Sequence, residues 1–307
     1  MPSARLDPRP TDFADSRPAA ELLRFDHVTV RFDGKTALDD VSFHVNPGET
    51  LVLYGAAGSG KTVLLKTAVG LVRPDGGDVN LFGRNITPLR EEQLFPLRHR
   101  VGVLFQEGGL FDSLTIAENV EYPLLNGAEG SLPEEEARAR AKQAVDFVEL
   151  GSTLEQFPSE LSGGMRRRIG IARASVTRPP LILYDSPTAG LDPITAYRIM
   201  ALVIRQRDTR NTTALVVTHR HQDGLLLAHY RYDPQTNGIH RTTGGRPTRF
   251  LVLREGHIAF EGPLDELNAS KDPYVASFVG KNLPSSGGDG KDLHRLSELL
   301  HPLPAEG

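Results

Sequence analysis

Leu51-Val52-Leu53-Tyr54-Gly55-Ala56-Ala57-Gly58-Ser59-Gly60-Lys61-Thr62 is the stretch that decides the fold. Residues 51–54 form an unbroken apolar run, the pattern of a strand buried on both faces. Residues 55–62 fit the phosphate-loop spacing of glycine, four residues, glycine, lysine and threonine, and a helical stretch follows. Glycines let backbone N–H groups turn inward around phosphate oxygens, and a helix N-terminus adds the positive end of its dipole. Lys61 is then the group that reaches the β- and γ-phosphates, and the Thr62 hydroxyl is a Mg²⁺ ligand. A chance glycine-rich turn is the alternative, and the strand-loop-helix context counts against it.

Outward from this stretch the chain alternates strands and helices. Val101–Phe105, Leu181–Tyr184 and Ala214–Val217 are further buried-strand candidates with helical stretches between them, which predicts an α/β parallel sheet. Upstream, Val28, Val30 and Phe32 alternate with polar residues, as do Val41, Phe43 and Val45. They predict two antiparallel strands turned near Asp33-Gly34. Residues 107–165 read as mostly helical. Ser131-Leu132-Pro133-Glu134 is a candidate capping box for a helix running to Gly151, and Asp192-Pro193 is a helix start. Asp185, at the end of a buried run beside the phosphate loop, is placed to hold Mg²⁺ through water.

The 307 residues are 39% hydrophobic and 24% charged, the balance of a globular chain. The net charge of −4 argues against a chain-wide nucleic-acid footprint, so no nucleic-acid partner is expected. The absence of cysteine excludes disulfides, thiolate metal sites and cysteine nucleophiles. No apolar run reaches the ~18–20 residues that span a bilayer. The opening stretch lacks a signal-peptide core, so the expectation is a cytoplasmic protein that meets a membrane only through a partner. Residues 1–21 read as a disordered arm, 22–280 as the folded domain and 281–307 as a flexible tail. A polar insertion at 230–248 has Asn237-Gly238 as a hairpin signal.

Leu161-Ser162-Gly163-Gly164-Met165 resembles the signature loop of the ATP-binding subunits of ABC transporters. Given that resemblance, Phe32 matches the family's adenine-stacking aromatic residue, with Phe25 as the neighbouring alternative. Gln106 matches the glutamine that senses the γ-phosphate and Mg²⁺. Ala189-Gly190-Leu191-Asp192 matches the loop after the second Walker motif, and His219 the switch histidine. The resemblance covers Leu22 to Gly280. It implies a P-loop NTPase core with an antiparallel β-subdomain and a helical subdomain, and ATP and Mg²⁺ as cofactors. It further implies a dimer in which Ser162, Gly163 and Gly164 act in trans on the partner's ATP, and an integral-membrane permease as partner. Gln106–Thr115, Glu118-Asn119-Val120, Tyr122-Pro123-Leu124, Arg166-Arg167-Arg168, Asp192–Thr195 and Asp272-Pro273-Tyr274-Val275 with Phe278 resemble the ATPases of Mla/Mce-type lipid transporters. This narrower resemblance implies phospholipid or another hydrophobic cargo and a lipid-binding partner. An ordinary importer or exporter is the rival.

One position departs from the family pattern. Ser186 follows Asp185 where the family has the glutamate that orients or deprotonates water. A serine hydroxyl is a poor base near neutral pH, and general acid–base assistance is typically worth ~10²–10⁴ in rate. Three readings follow: a heterodimer whose partner hydrolyses, a slow homodimer helped by His219 or Glu107, and a nearly non-hydrolytic ATP-gated clamp. The Arg166–Arg168 run reads as a solvated or salt-bridged helix face, with partner or nucleotide contact as the alternative. His219 and His221 lack the spacing and further ligands of a metal site. The 230–248 insertion reads as a tolerated surface insertion or a partner-binding element. Leu296, Leu299 and Leu300 read as a frayed tail or a docking segment. Soluble cassette proteins of DNA repair and translation form a further class. The repair type would need a coiled-coil insertion and the translation type usually a second cassette, and this sequence shows neither.

Overall fold

A computed structural model describes residues 21–106, 108–127, 131–242 and 247–279. The expected arm, the tail with Leu296, Leu299 and Leu300, Glu107 and part of the insertion lie outside the described residues. The strands are β1 (Leu23–Phe32), β2 (Lys35–Val45), β3 (Thr50–Gly55), β4 (Gly76–Leu81), β5 (Arg84–Asn85), β6 (Val101–Leu104), β7 (Leu181–Asp185), β8 (Thr213–Val217), β9 (Tyr230–Asp233), β10 (Gly238–Arg241), β11 (Thr248–Arg254) and β12 (His257–Pro263). The helices are α1 (Lys61–Ala68), α2 (Glu91–His99), α3 (Ile116–Leu125), α4 (Glu134–Phe147), α5 (Gly163–Ser175), α6 (Pro193–Arg210), α7 (His221–His229), α8 (Leu264–Asn268) and α9 (Pro273–Val279).

The unbroken apolar runs become the centre of a six-stranded sheet in the order β12-β11-β3-β8-β7-β6, with β12 antiparallel and the others parallel. Successive strand residues face opposite sides, so each run feeds two cores. Leu51, Leu53, Leu183 and Leu215 pack with Leu64 and Leu65 of α1 and with the antiparallel sheet β2-β1-β4-β5. Val52, Tyr54, Tyr184 and Val216 pack on the other side with α5, α6 and α7. β6 stops at Leu104, one residue short of the expected end, and Phe105 is exposed.

The helical segment holds α3, α4 and the start of α5. Ala137, Ala141, Ala144 and Val145 form the buried stripe of α4, small enough for close approach to α3 and α5. The capping box expected at Ser131 does not form. Pro133 occupies the N-cap, which leaves Ser131 two residues too early, and Leu132 N–H instead donates to Leu124 O at 3.1 Å. The helix ends at Phe147, and Gly151 opens a short 3₁₀ turn. A capping box does form at α3, where Thr115 N–H donates to Glu118 Oε2 at 2.7 Å and Glu118 N–H to Thr115 Oγ1 at 3.3 Å.

The insertion folds as the hairpin β9–β10, with Asn237 at φ 50° in its turn. It is anchored to the core at Tyr230 and Ile239, while its turn, 234–237, stays exposed on the surface. Arg207, 1% exposed, donates to Leu227 O at 2.7 Å and Tyr230 O at 2.8 Å, and Asp208 accepts from Tyr232 N–H at 2.9 Å. Ile239 of β10 is buried in the same cluster.

Candidate nucleotide site

The candidate groups gather where the parallel strands end. β3 delivers Gly55, the loop turns through Gly58 (φ 76°) and Gly60 (φ 104°), and α1 starts at Lys61. At Gly60 a side chain would run into the Ala37 carbonyl and meet Leu38 at 3.0 Å, so glycine is required twice over. Lys61 Nζ donates to Gly55 O at 2.9 Å and Ala56 O at 2.7 Å, and lies 3.4 Å from Ser59 Oγ. Burial pulls the Lys61 ammonium below its usual pKa, and Asp185 opposes that. Such a partly desolvated cation favours an anion that joins it. Ala56, Ala57 and Gly58 are open to solvent and Ser59 is buried.

Asp185, buried at the end of β7, sits between two hydroxyls. Thr62 Oγ1 lies 3.4 Å from one carboxylate oxygen, and Ser186 Oγ donates to the other at 3.1 Å. The Thr62–Asp185 pair is an all-oxygen donor set, which fits Mg²⁺. Bound there, the ion would neutralise phosphate charge. Ser186 is in left-handed backbone at φ 50°, and its N–H donates to Val217 O at 2.9 Å. Its hydroxyl is thus committed to the Asp185 carboxylate, and it supplies no carboxylate of its own.

Gln106 lies two residues beyond β6 and His219 two beyond β8, both exposed on this same sheet edge. His221 is buried at the start of α7, where its carbonyl accepts from the Tyr54 hydroxyl at 3.3 Å. Phe32, 47% exposed at the end of β1, is free to present its ring. Phe25 is 1% exposed and stacked on Phe43 at 4.7 Å, so the alternative aromatic belongs to the core. Ser162 caps α5, accepting from Met165 N–H at 3.3 Å, and with Gly163 it is open to solvent. Gly164 lies against Thr195 of α6, where a side chain would come within 2.6 Å. Asp192 caps α6 through Ile194 N–H at 3.1 Å and Thr195 N–H at 3.0 Å, and hydrogen bonding from the Thr195 side chain, then from these amides, holds its carboxyl below the usual range.

The arginine run is not a solvated face. Arg167, 7% exposed, donates to Ser186 O at 2.9 Å, Pro187 O at 2.8 Å and Ala189 O at 3.4 Å. Arg166 donates to Leu161 O at 2.6 Å and Arg168 to Val148 O at 3.1 Å. Sequence reasoning missed Arg167. The signal was its helical spacing with buried Gly170, Ile171 and Ala174, which puts it on the inward face. Asp223 was also missed. It is buried and accepts from Thr188 Oγ1 at 2.5 Å and Thr218 Oγ1 at 2.7 Å, joining the turn after β7 to the loop that carries His219. Burial raises its carboxyl pKa, and the two hydroxyls and Arg220 oppose the rise.

A glycine-rich loop on a parallel sheet, an Asp–Thr pair whose oxygens fit Mg²⁺ and a second exposed helix N-terminus match the arrangement of a P-loop ATPase of the cassette class. A family model described as ABC transporter matches residues 38–189. A methionine import ATP-binding protein of Rhizobium etli is 39% identical over 216 residues, which cover 70% of this chain and 58% of that protein. A probable ribonucleotide transport ATP-binding protein of Mycobacterium leprae is 33% identical over 273 residues, covering 88% and 73%. Among solved structures, an ATP-binding cassette in a dimeric post-hydrolysis state bound to ADP and Pi matches with a TM-score of 0.66 at 30% identity, covering 79% of this chain and 98% of that one. The chain belongs to the family of ABC transporter ATP-binding proteins, ATPases whose cofactors are ATP and Mg²⁺. Among the described residues, no helix is long and apolar enough to cross a membrane.

Proposed function

We propose that this chain is one of two ATPase subunits on a membrane permease that moves phospholipid or another hydrophobic molecule, and that its own site closes on ATP but hydrolyses it slowly. The observation that carries the reading is the turn after β7. Asp185 and Thr62 keep the Mg²⁺ pair while Ser186 spends its hydroxyl on Asp185. In a closed dimer, Ser162, Gly163 and Gly164 would place hydroxyl, amides and the α5 N-terminus on the partner's γ-phosphate. Lys61 would hold the β- and γ-phosphates, Gln106 and His219 would report on the γ-phosphate, and Phe32 would stack on adenine. The intact signature loop favours pairing with a different, hydrolytic subunit whose site it completes.

The lipid assignment rests on the Gln106–Thr115 and Asp272–Val275 segments and their resemblance to lipid-transporter ATPases. A methionine-type importer is the second reading, favoured by the 39% identity to a methionine import protein. Steady-state MgATP turnover beside Ser186→Glu, with binding checked in both, tests the site. A gain of about 10²-fold or more is expected. Equal turnover would make the chain a working motor and end the degenerate-site reading. Stimulation of the permease-bound complex by phospholipid rather than methionine tests the cargo.

A further inference from the structure

The parallel ladder between β11 and β3 ends at Leu253 opposite Gly55, where β3 departs into the phosphate loop. The next rung is made by a side chain. The Tyr274 hydroxyl accepts from Ala56 N–H at 3.1 Å and donates to Leu253 O at 2.9 Å. A hydroxyl serves both groups from a single atom, because it is donor and acceptor together. Ala56 is therefore gripped on both sides, since its carbonyl accepts from Lys61 Nζ at 2.7 Å.

Tyr274 is itself fixed from several directions. Asp272 Oδ1 accepts from Tyr274 N–H at 2.8 Å and Val275 N–H at 3.3 Å, while Asp272 Oδ2 pairs with Arg254 at 3.2 Å. The Arg254 guanidinium lies 5.5 Å from the Tyr274 ring centre, and Phe278 meets that ring edge-on at 5.1 Å. Phe278 also stacks on Tyr54 of β3 at 6.2 Å. Helix α9 is thus tied to both strands that frame the phosphate loop.

We propose that Tyr274 is a positioning residue for the phosphate loop, and that α9 is a latch whose seating is coupled to nucleotide binding. A phosphate that draws Lys61 to itself takes the cation from the Ala56 carbonyl. Ala56 is then held through Tyr274, so the hydroxyl matters more with nucleotide than without. A contact that differs between two states couples them in both directions: α9 tightens nucleotide binding, and nucleotide tightens α9.

The test is Tyr274→Phe in the full chain, which removes one oxygen and keeps the ring packing. MgATP affinity is measured by titration calorimetry, and amide hydrogen exchange of residues 274–279 is followed with and without MgATP. We expect a three- to tenfold weaker Kd, about the worth of one hydrogen bond. In the unaltered chain MgATP should slow exchange in α9 about threefold or more, and in Tyr274→Phe this slowing should vanish. A purely structural tyrosine would change exchange equally with and without nucleotide. An unchanged Kd overturns the positioning role, and nucleotide-insensitive exchange in the unaltered chain overturns the latch. Both readouts follow binding alone, so failure of the lipid or heterodimer reading leaves them standing.

Discussion

The loop after β3 and the turn after β7 leave the same edge of one sheet and meet at Thr62 and Asp185. They are built in opposite ways. The loop after β3 keeps its chemical side chains, Lys61 and Thr62, on a scaffold of glycines, with Gly58 open and Gly55 and Gly60 pressed against neighbouring backbone. The turn after β7 carries Ser186, proposed above to stand at the family's base position, and its bracing comes from buried charged side chains. Arg167 holds three of its carbonyls, and Asp223 fastens Thr188 to Thr218. A turn that needed only to bind Mg²⁺ through Asp185 would not require a buried arginine from the signature helix. The bracing ties this turn to α5, the helix whose N-terminus is proposed above to meet a second subunit.

The comparison can be broken from either side. Lys61→Ala should weaken MgATP binding about a hundredfold, because it removes the cation from a partly desolvated phosphate site. Calorimetry showing undiminished affinity would mean that nucleotide sits elsewhere. Arg167→Met should cost about 3 kcal/mol in urea unfolding, since the carbonyls of Ser186 and Pro187 lose a charged donor in a buried place. A loss below about 0.5 kcal/mol would show that the turn holds its shape unaided.

Asp223→Asn should be milder, about 1 kcal/mol at neutral pH, and its cost should depend on pH. The folded-state pKa of Asp223 is raised, so on descending toward the ordinary carboxylate range the native state takes up its proton before the unfolded chain does. Bound protons then favour the native state, and the unaltered chain gains stability relative to the variant as pH falls through that window. Parallel thermal melts between pH 7 and 4 that keep a constant gap would contradict the burial assigned to this carboxyl.

Much of the scaffold was legible because strands covered on both faces read as continuous apolar runs. β3, β7 and β8 were visible on that ground alone, as was the β1–β2 pair from its alternation. The phosphate loop and the Asp192-Pro193 start were legible because each needs particular residues at fixed spacing. The cap at Ser131 misled because a proline two positions on took the N-cap itself. Arg167 was hidden inside a charged run that resembles a wet surface, and its partners are carbonyls, which carry no sequence signal. Asp223 and Tyr274 act through contacts 35 and 218 residues away, which no local pattern contains.

The strand order has a consequence for how the protein is made. β3 lies between β8 and β11, and neither neighbour is synthesised until residues 213–217 and 248–254 have followed it. The antiparallel pair β1–β2 can close while the ribosome is still near the N-terminus, but the phosphate loop has no sheet to stand on until most of the chain has emerged. On the growing polypeptide, nucleotide therefore finds its pocket late, and a chain truncated before β11 would expose the unpaired edge of β3.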